Sequence, residues 1–150
     1  DPTSHADHLT VDSAITSYLD AGIPAAKVVM GLPFYGRGWQ GVPNMNHGLY
    51  QSATGPAQAG TWEPGLFDYV DLVDNYMGSY DVRRDPQTEV PWLYSPSTGV
   101  MISYDDPESL RRKVTYARER DLGGVMFWEL SSDTSDSELL WSIYEPLSEP

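Results

Sequence analysis

The residues of this chain best suited to chemistry end two short runs, residues 28–39 and residues 123–130. Each run is apolar and then changes abruptly to aromatic and charged residues, as a buried parallel strand does when its carboxyl end opens onto a site. In α/β barrels the active site lies at that end of the strands. We therefore expect one cleft to collect the side chains that end the two runs: Tyr35, Arg37, Trp39, Trp128 and Glu129.

The aromatic composition indicates what such a cleft would hold. The chain has five Trp and ten Tyr but only three Phe. Trp and Tyr combine an apolar face with a polar group. They therefore suit a sugar ring, whose face they stack on and whose hydroxyls they hydrogen-bond. A core rich in Trp and Tyr is the alternative, and composition alone favours neither.

The carboxylates offer few candidates for acid or base chemistry. Side chains alternate along a strand, which predicts that Glu129 points away from the tryptophan before it; we do not assign it as a proton donor. Asp71 and Asp74 are expected on a surface helix. Asp105 and Asp106 are expected at a helix start, where a carboxylate caps the backbone. Both pairs are therefore predicted to be structural.

No metal or cofactor is expected. His5 and His8 have a spacing seen in metal sites, but the chain has no cysteine and His47 is distant in sequence. The glycine runs lack the Gly-Lys-Ser/Thr that completes a phosphate loop.

The composition and net charge of the chain limit the classes of partner that it is expected to bind. The 150 residues are 40% hydrophobic and 21% charged, which is typical of a soluble globular chain. The net charge of −13 repels phosphate backbones and anionic lipid surfaces, so neither nucleic acid nor a membrane is an expected partner. No apolar run is long enough to span a bilayer. A neutral or mildly cationic polymer fits this surface.

Helices and strands alternate at both ends of the sequence. Thr10 is predicted to cap a helix that ends near Gly22, and a buried strand follows from Lys27 to Leu32. Asp106 and Pro107 predict the start of a second helix. The strand of residues 123–130 comes next, and then a last helix from about Ser137 to Pro146. The fold class is therefore α/β.

Residues 41–100 do not follow this alternation of helices and strands. They are dense in Gly, Pro, Asn and Ser, with short aromatic or β-branched pieces, which favours antiparallel strands. Leu66 to Tyr76 is predicted to form a short helix. We accordingly divide the chain into residues 1–40, an inserted small α+β domain of residues 41–100, and residues 101–150. Asp1 lies in a turn-rich loop without a starting Met, and we interpret it as a cut end.

Both runs resemble one family. Gly31-Leu32-Pro33-Phe34-Tyr35-Gly36-Arg37-Gly38-Trp39 and Met126-Phe127-Trp128-Glu129-Leu130 resemble the ends of the seventh and eighth strands in family 18 glycoside hydrolases, in the bacterial chitinase branch. The resemblance implies a (β/α)8 TIM barrel of which this chain is the C-terminal portion, with a chitinase insertion domain after the seventh strand. Gly60-Thr61-Trp62-Glu63 and Ile102-Ser103-Tyr104-Asp105-Asp106 also match, as a cleft wall and a structural junction.

The resemblance also implies roles for single residues. Tyr35 and Arg37 would contact the sugar on either side of the cleaved bond, and Trp128 would form the floor of the −1 subsite. Trp39 and Trp62 are further substrate-binding candidates, with packing of the insertion against the barrel as their alternative role. The expected ligand is chitin or a chito-oligosaccharide.

The family's catalytic signature, Asp-x-x-Asp-x-Asp-x-Glu, does not occur in these residues. In the family its glutamate protonates the leaving oxygen while the substrate's own N-acetyl oxygen attacks the anomeric carbon. We therefore expect no catalytic residue in this chain, and no activity without an N-terminal barrel half. The resemblance implies a secreted, extracellular chitinase cleaving β-1,4-linked N-acetylglucosamine polymers. A non-catalytic chitin-binding relative and an endo-N-acetylglucosaminidase acting on peptidoglycan or glycoprotein glycans remain open.

Overall fold

A computed structural model describes residues 9–148 of the chain. Four helices and eight strands organise this part. The helices are α1 (Val11–Asp20), α2 (Tyr69–Asp71, continued by a π-helical turn, Leu72–Tyr76), α3 (Pro107–Glu119) and α4 (Glu138–Ser148). The strands are β1 (Val29–Pro33), β2 (Tyr35–Gln40), β3 (Gly55–Pro56), β4 (Leu66–Asp68), β5 (Asp81–Arg84), β6 (Pro91–Ser95), β7 (Val100–Ser103) and β8 (Gly124–Trp128). No described helix is long and apolar enough to cross a membrane.

Strands β1 and β8 form a parallel pair. Their register runs from Val29 opposite Gly124 to Pro33 opposite Trp128, so the two carboxyl ends lie side by side. Helix α3 packs against β8 and against α4. Its Asp106 accepts from the backbone N–H of Ser109, whose hydroxyl accepts from the N–H of Asp106, which confirms the predicted capped start. The predicted cap at Thr10 is also confirmed, because its side chain accepts from Ser13 N–H.

The other strands form an antiparallel sheet. Its order is β3-β2-β7-β6-β5, and β4 also pairs with β2. The sheet therefore begins at Tyr35, with Phe34 alone between it and the end of β1, and the chain continues into helix α3 after Ser103. The strand expected from Lys27 to Leu32 corresponds to β1, and the residues after it form a second strand, β2, in the other sheet, because the chain bends at Phe34 and pairs anew.

One buried cluster joins the two sheets to the helices. Phe34 and Phe67 are fully buried, as are Leu110 and Leu139 on helices α3 and α4. Phe34 stacks on Phe127 of β8, with ring centroids 4.6 Å apart. The described part of the chain is thus packed as a continuous unit, with the end of β8 and the start of β2 adjoining.

The sequence predicts a helix from Leu66 to Tyr76, but the first three of these residues form strand β4. Leu66–Asp68 pair with β2 in the register Tyr35 opposite Asp68 and Arg37 opposite Leu66. Helical geometry begins only at Tyr69. The apolar spacing of this segment suits either structure, and the open pairing positions of β2 decide it.

Candidate functional site

A cavity of about 220 Å³ lies where the start of β2, strand β4 and the end of β8 meet. Four of the five predicted substrate-binding residues line it, together with four others. The lining residues are Tyr35, Arg37, Trp62, Leu66, Asp68, Trp128, Glu129 and Ser132.

Trp128 forms one side of this cavity. It is the last residue of β8 and remains 63% exposed, although it lies in a paired strand. Its carbonyl accepts from the backbone N–H of Phe34, at 2.8 Å. The backbone is therefore held while the indole stays open, which leaves a rigid aromatic surface for a ligand.

Tyr35 and Arg37 form a second side. Residues two apart on a strand share a face, so both side chains of β2 point into the same cavity. The Arg37 guanidinium carbon lies 5.9 Å from the centre of the Tyr35 ring. Within residues 9–148, Arg37 has no ion pair with a carboxylate. Its charge and donors are thus available to a ligand.

Trp62 and Asp68 form the third side. Trp62 is 74% exposed, yet its Nε1–H donates to the Oδ2 atom of Asp68, at 2.8 Å. The Oδ1 atom of Asp68 accepts from the Ser132 hydroxyl, at 3.0 Å. Asp68 and Ser132 were missed by sequence reasoning. The pairing of β4 with β2 brings Asp68 to the cavity, and the helix expected over this segment concealed that pairing.

Glu129 also lines the cavity, beside Trp128. The alternation argument that placed it on the opposite side is wrong, because β8 ends at Trp128 and alternation stops with the strand. Glu129 accepts from the Ser131 hydroxyl, at 2.7 Å. It is the second carboxylate of the cavity lining, beside Asp68.

Trp39 lies outside this cavity. It faces the same side of β2 as Arg37, opposite Pro56 on one neighbour and Met101 on the other, and is 37% exposed. Its substrate-binding role therefore stays a prediction.

Three of the four paired aspartates, Asp71, Asp105 and Asp106, make structural contacts. Asp71 accepts from the Thr61 hydroxyl and the Asn75 amide. Buried Asp105 pairs with Lys113 Nζ, at 2.6 Å. Asp106 caps α3 and pairs with Arg84. None of the four lines the cavity.

Two buried tyrosines, Tyr69 and Tyr104, stack on each other, and Tyr69 directly follows Asp68 of the cavity lining. Burial raises the pKa of Tyr69 and, separately, that of Tyr104, so both hydroxyls stay protonated. The Tyr69 hydroxyl donates to Glu138 at the start of α4, at 3.0 Å. This bond ties the segment after Asp68 to the last helix.

Metal binding has no candidate group in residues 9–148, which contain no cluster of three or more His, Asp or Glu suited to an ion. His5 and His8 lie outside the described residues.

Comparison with known proteins identifies the family. The model of glycosyl hydrolases family 18 matches residues 2–133. Chitinase A1 of Niallia circulans is 47% identical over 130 residues, which cover 85% of this chain and 19% of that protein.

Two solved structures agree. A class V chitinase from Nicotiana tobaccum, in complex with NAG4, superposes with a TM-score of 0.87 at 28% identity, over 97% of this chain and 41% of its own. Human YKL-39, a pseudo-chitinase with retained chitooligosaccharide binding, superposes with a TM-score of 0.82 at 26% identity, over 93% of this chain and 40% of its own.

This chain spans well under half the length of each of these three proteins. Family 18 chitinases have the TIM-barrel fold, and the α/β content described above fits a part of it. The chain belongs to glycosyl hydrolases family 18.

Proposed function

We propose that this chain forms the sugar-binding part of a chitinase that cleaves β-1,4 bonds between N-acetylglucosamine units. The convergence of Trp128, Tyr35, Arg37 and Trp62 on one cavity carries the proposal. Stacking on an indole and hydrogen bonding to a guanidinium and a phenol are the contacts that a neutral, hydroxyl-rich ring needs.

The proposed roles follow from position. Trp128 presents its exposed indole as the floor under the sugar at the −1 subsite. Tyr35 and Arg37, side by side on β2, hydrogen-bond the sugars that flank the cleaved bond. Trp62 closes the cavity as its wall, and Trp39 extends the binding surface along β2.

The proton donor would come from an upstream segment. Cleavage in the substrate-assisted retaining mechanism needs a carboxylic acid at the leaving oxygen, and the N-acetyl oxygen serves as nucleophile. We assign no catalytic residue to this chain. Its part is to hold the N-acetylglucosamine ring so that attack and protonation occur at the same bond.

An N-terminal barrel half is the proposed partner. In the described residues β1 and β8 pair only with each other, so both outer edges are open. One face of this pair exposes Val29, Met126 and Trp128. Closing the barrel would pair both edges and cover Val29 and Met126. Whether this half is part of the same chain or a separate one, the chain alone is expected to be inactive.

The antiparallel sheet would be the chitinase insertion domain. We keep residues 41–100 as its proposed bounds, between barrel portions 1–40 and 101–150. Its sheet starts inside the first barrel portion, at Tyr35, and this overlap is what lets the insertion supply one wall of the cavity.

Reconstitution tests the proposal. The chain would be co-expressed with the part of Niallia circulans chitinase A1 that precedes the matched region. We expect the complex to release short products from chito-oligosaccharides, and the chain alone to release none. A complex whose upstream acidic glutamate is replaced by glutamine is the control and should bind without turnover. A folded complex that neither binds nor cleaves would refute the proposal.

A chitin-binding protein without activity is the second candidate. The similarity to the pseudo-chitinase YKL-39 favours it, since a protein that keeps oligosaccharide binding shares this part of the fold. The sequence of the full-length protein distinguishes the two candidates: if it lacks the acidic signature, the chitinase proposal fails and the binding protein is supported. An endo-N-acetylglucosaminidase would be recognised by preferring peptidoglycan or glycoprotein glycans over chito-oligosaccharides.

The proposed location is extracellular, because chitin is a polymer found outside the cell that degrades it. The net charge of −13 fits a neutral polysaccharide and disfavours nucleic acid and anionic membranes as partners.

A further inference from the structure

Trp62 is an exposed aromatic side chain that is nevertheless fixed. It lies in the tight turn before β4, where Thr61 N–H donates to the Leu66 carbonyl, at 2.8 Å. At 74% exposure its indole has few packing contacts to hold it. The hydrogen bond from its Nε1–H to Asp68 therefore sets its orientation.

Asp68 is held from several directions. It is 6% exposed, its backbone pairs opposite Tyr35, and its N–H donates to the Thr61 hydroxyl, at 2.9 Å. The Ser132 hydroxyl donates to its second oxygen. Ser132 is 2% exposed and lies four residues after Trp128, so Asp68 links the Trp62 wall to the turn that follows the cavity floor.

Asp68 occupies a helix-capping position, but its carboxylate does not cap the helix. Asp68 directly precedes helix α2, where an aspartate side chain commonly accepts from the backbone N–H of the second or third helical residue. It makes no such bond here. The N–H of Tyr69, the first residue of this helix, donates to the Phe34 carbonyl, at 3.0 Å. Both carboxylate oxygens thus accept from neutral side chains that line the cavity, and neither forms an ion pair with a cation among the described residues.

We propose that Asp68 is a positioning residue that holds the Trp62 indole as a preformed wall of the sugar cavity. The inference rests on the proposed function for its ligand, but not for the geometry of the free protein. If a side chain is already ordered in the free protein, binding does not have to pay the conformational entropy of ordering it. The ordering of one such side chain corresponds to about a 2- to 12-fold change in Kd.

Four variants of the reconstituted barrel test this role: Asp68→Ala, Asp68→Asn, Trp62→Ala, and the double variant with both alanines. Asparagine keeps an acceptor for the indole, and its amide can donate to the Ser132 hydroxyl. It therefore preserves both bonds while removing the charge. Asp74→Ala is the matched control, because it removes an exposed carboxylate from the same segment.

Binding of N-acetylchitotetraose is the first readout. Asp68→Ala should weaken Kd about 2- to 12-fold, while Asp68→Asn and Asp74→Ala stay within about twofold of the parent. In the Trp62→Ala background, Asp68→Ala should add almost nothing. The inference is overturned if Asp68→Asn loses as much as Asp68→Ala, which would indicate a direct charge contact with the sugar, or if the two alanine effects add in full.

Fluorine NMR of 5-fluorotryptophan-labelled protein is the second readout and needs no ligand. Trp62→Phe identifies the Trp62 resonance. We expect that resonance to shift or broaden in Asp68→Ala and to be restored in Asp68→Asn. An unchanged resonance in Asp68→Ala overturns the inference even if sugar binding is intact. Conversely, absence of sugar binding in the parent refutes the proposed function and leaves this readout to decide the role of Asp68.

Discussion

Strand β2 packs tightly against the core at Gly38, and the substitution Gly38→Ala tests how much the site depends on this packing. A β-carbon at Gly38 would lie 2.6 Å from the Phe67 ring, 3.2 Å from Ile102 and 3.4 Å from Ala57. Phe67 is fully buried and packs edge-on against Tyr76, so its ring has no free space to move into. Overpacking of this kind costs about 1–3 kcal/mol.

The expected free-energy change combines two opposing effects. Alanine also restricts the unfolded chain, which stabilises the protein by about 0.4–1 kcal/mol where the native backbone tolerates it. We therefore expect Gly38→Ala to lower the free energy of unfolding by about 1–2 kcal/mol. At Gly78 a β-carbon meets nothing within 4 Å, so Gly78→Ala is the matched control and should be neutral or slightly stabilising.

Urea unfolding of the reconstituted barrel measures both variants, and the midpoint should fall in Gly38→Ala with the slope unchanged. Because Arg37 and Trp39 flank the substituted residue, the KM for chito-oligosaccharides should rise as well. Equal midpoints for the two variants would refute the close packing of β2 against Phe67, and an unchanged KM would refute the argument that this packing positions the site.

Three further predictions concern the floor, the junction and the pH dependence. Trp128→Ala should abolish most chito-oligosaccharide binding by calorimetry while the urea midpoint changes little, because the indole is 63% exposed; a large stability loss would show that it is a packing residue. Asp105→Ala should lower the free energy of unfolding by about 3–5 kcal/mol, because it leaves Lys113 unpaired in a partly buried place; a loss below about 1 kcal/mol would contradict this. The backbone N–H of Thr88 lowers the pKa of Asp85, so the stability that this carboxylate contributes is present above its unfolded pKa of about 3.9 and lost as the pH falls through its lower folded value. Asp85→Ala should therefore be less stable than the parent at pH 7 and equal to it in acid, and a difference independent of pH would refute the assignment.

Local signals in the sequence predict the helix starts well. Thr10 and Asp106 act through hydrogen bonds to residues three positions away, so the sequence around them contains all the necessary partners. The parallel pair is also predictable, because two apolar runs with a helix between them favour adjacent parallel strands. These features need no information about distant parts of the chain.

The division between the two sheets depends on pairing that local sequence does not contain. Tyr35 and Arg37 line the cavity, but they do so from a strand of the antiparallel sheet rather than from the end of a barrel strand. Asp68 and Ser132 lie 64 positions apart, and two long-range pairings, β4 with β2 and β8 with β1, bring them together. A reading based on periodicity assigns the segment around Asp68 to a helix and so misses this part of the site.

Phe34 explains why residues from two sheets can form one rigid cavity. It is the single residue between β1 and β2, fully buried and stacked on Phe127, the neighbour of Trp128. Its N–H donates to the Trp128 carbonyl, and its own carbonyl accepts from Tyr69, which follows Asp68. One residue thereby fixes the backbone of the floor and the backbone next to the wall. Both contacts are short and buried, so movement of the antiparallel sheet against the parallel strands would have to break them. The cavity is accordingly expected to keep its shape with or without a sugar, and ligand affinity to depend on preformed surfaces rather than on closure.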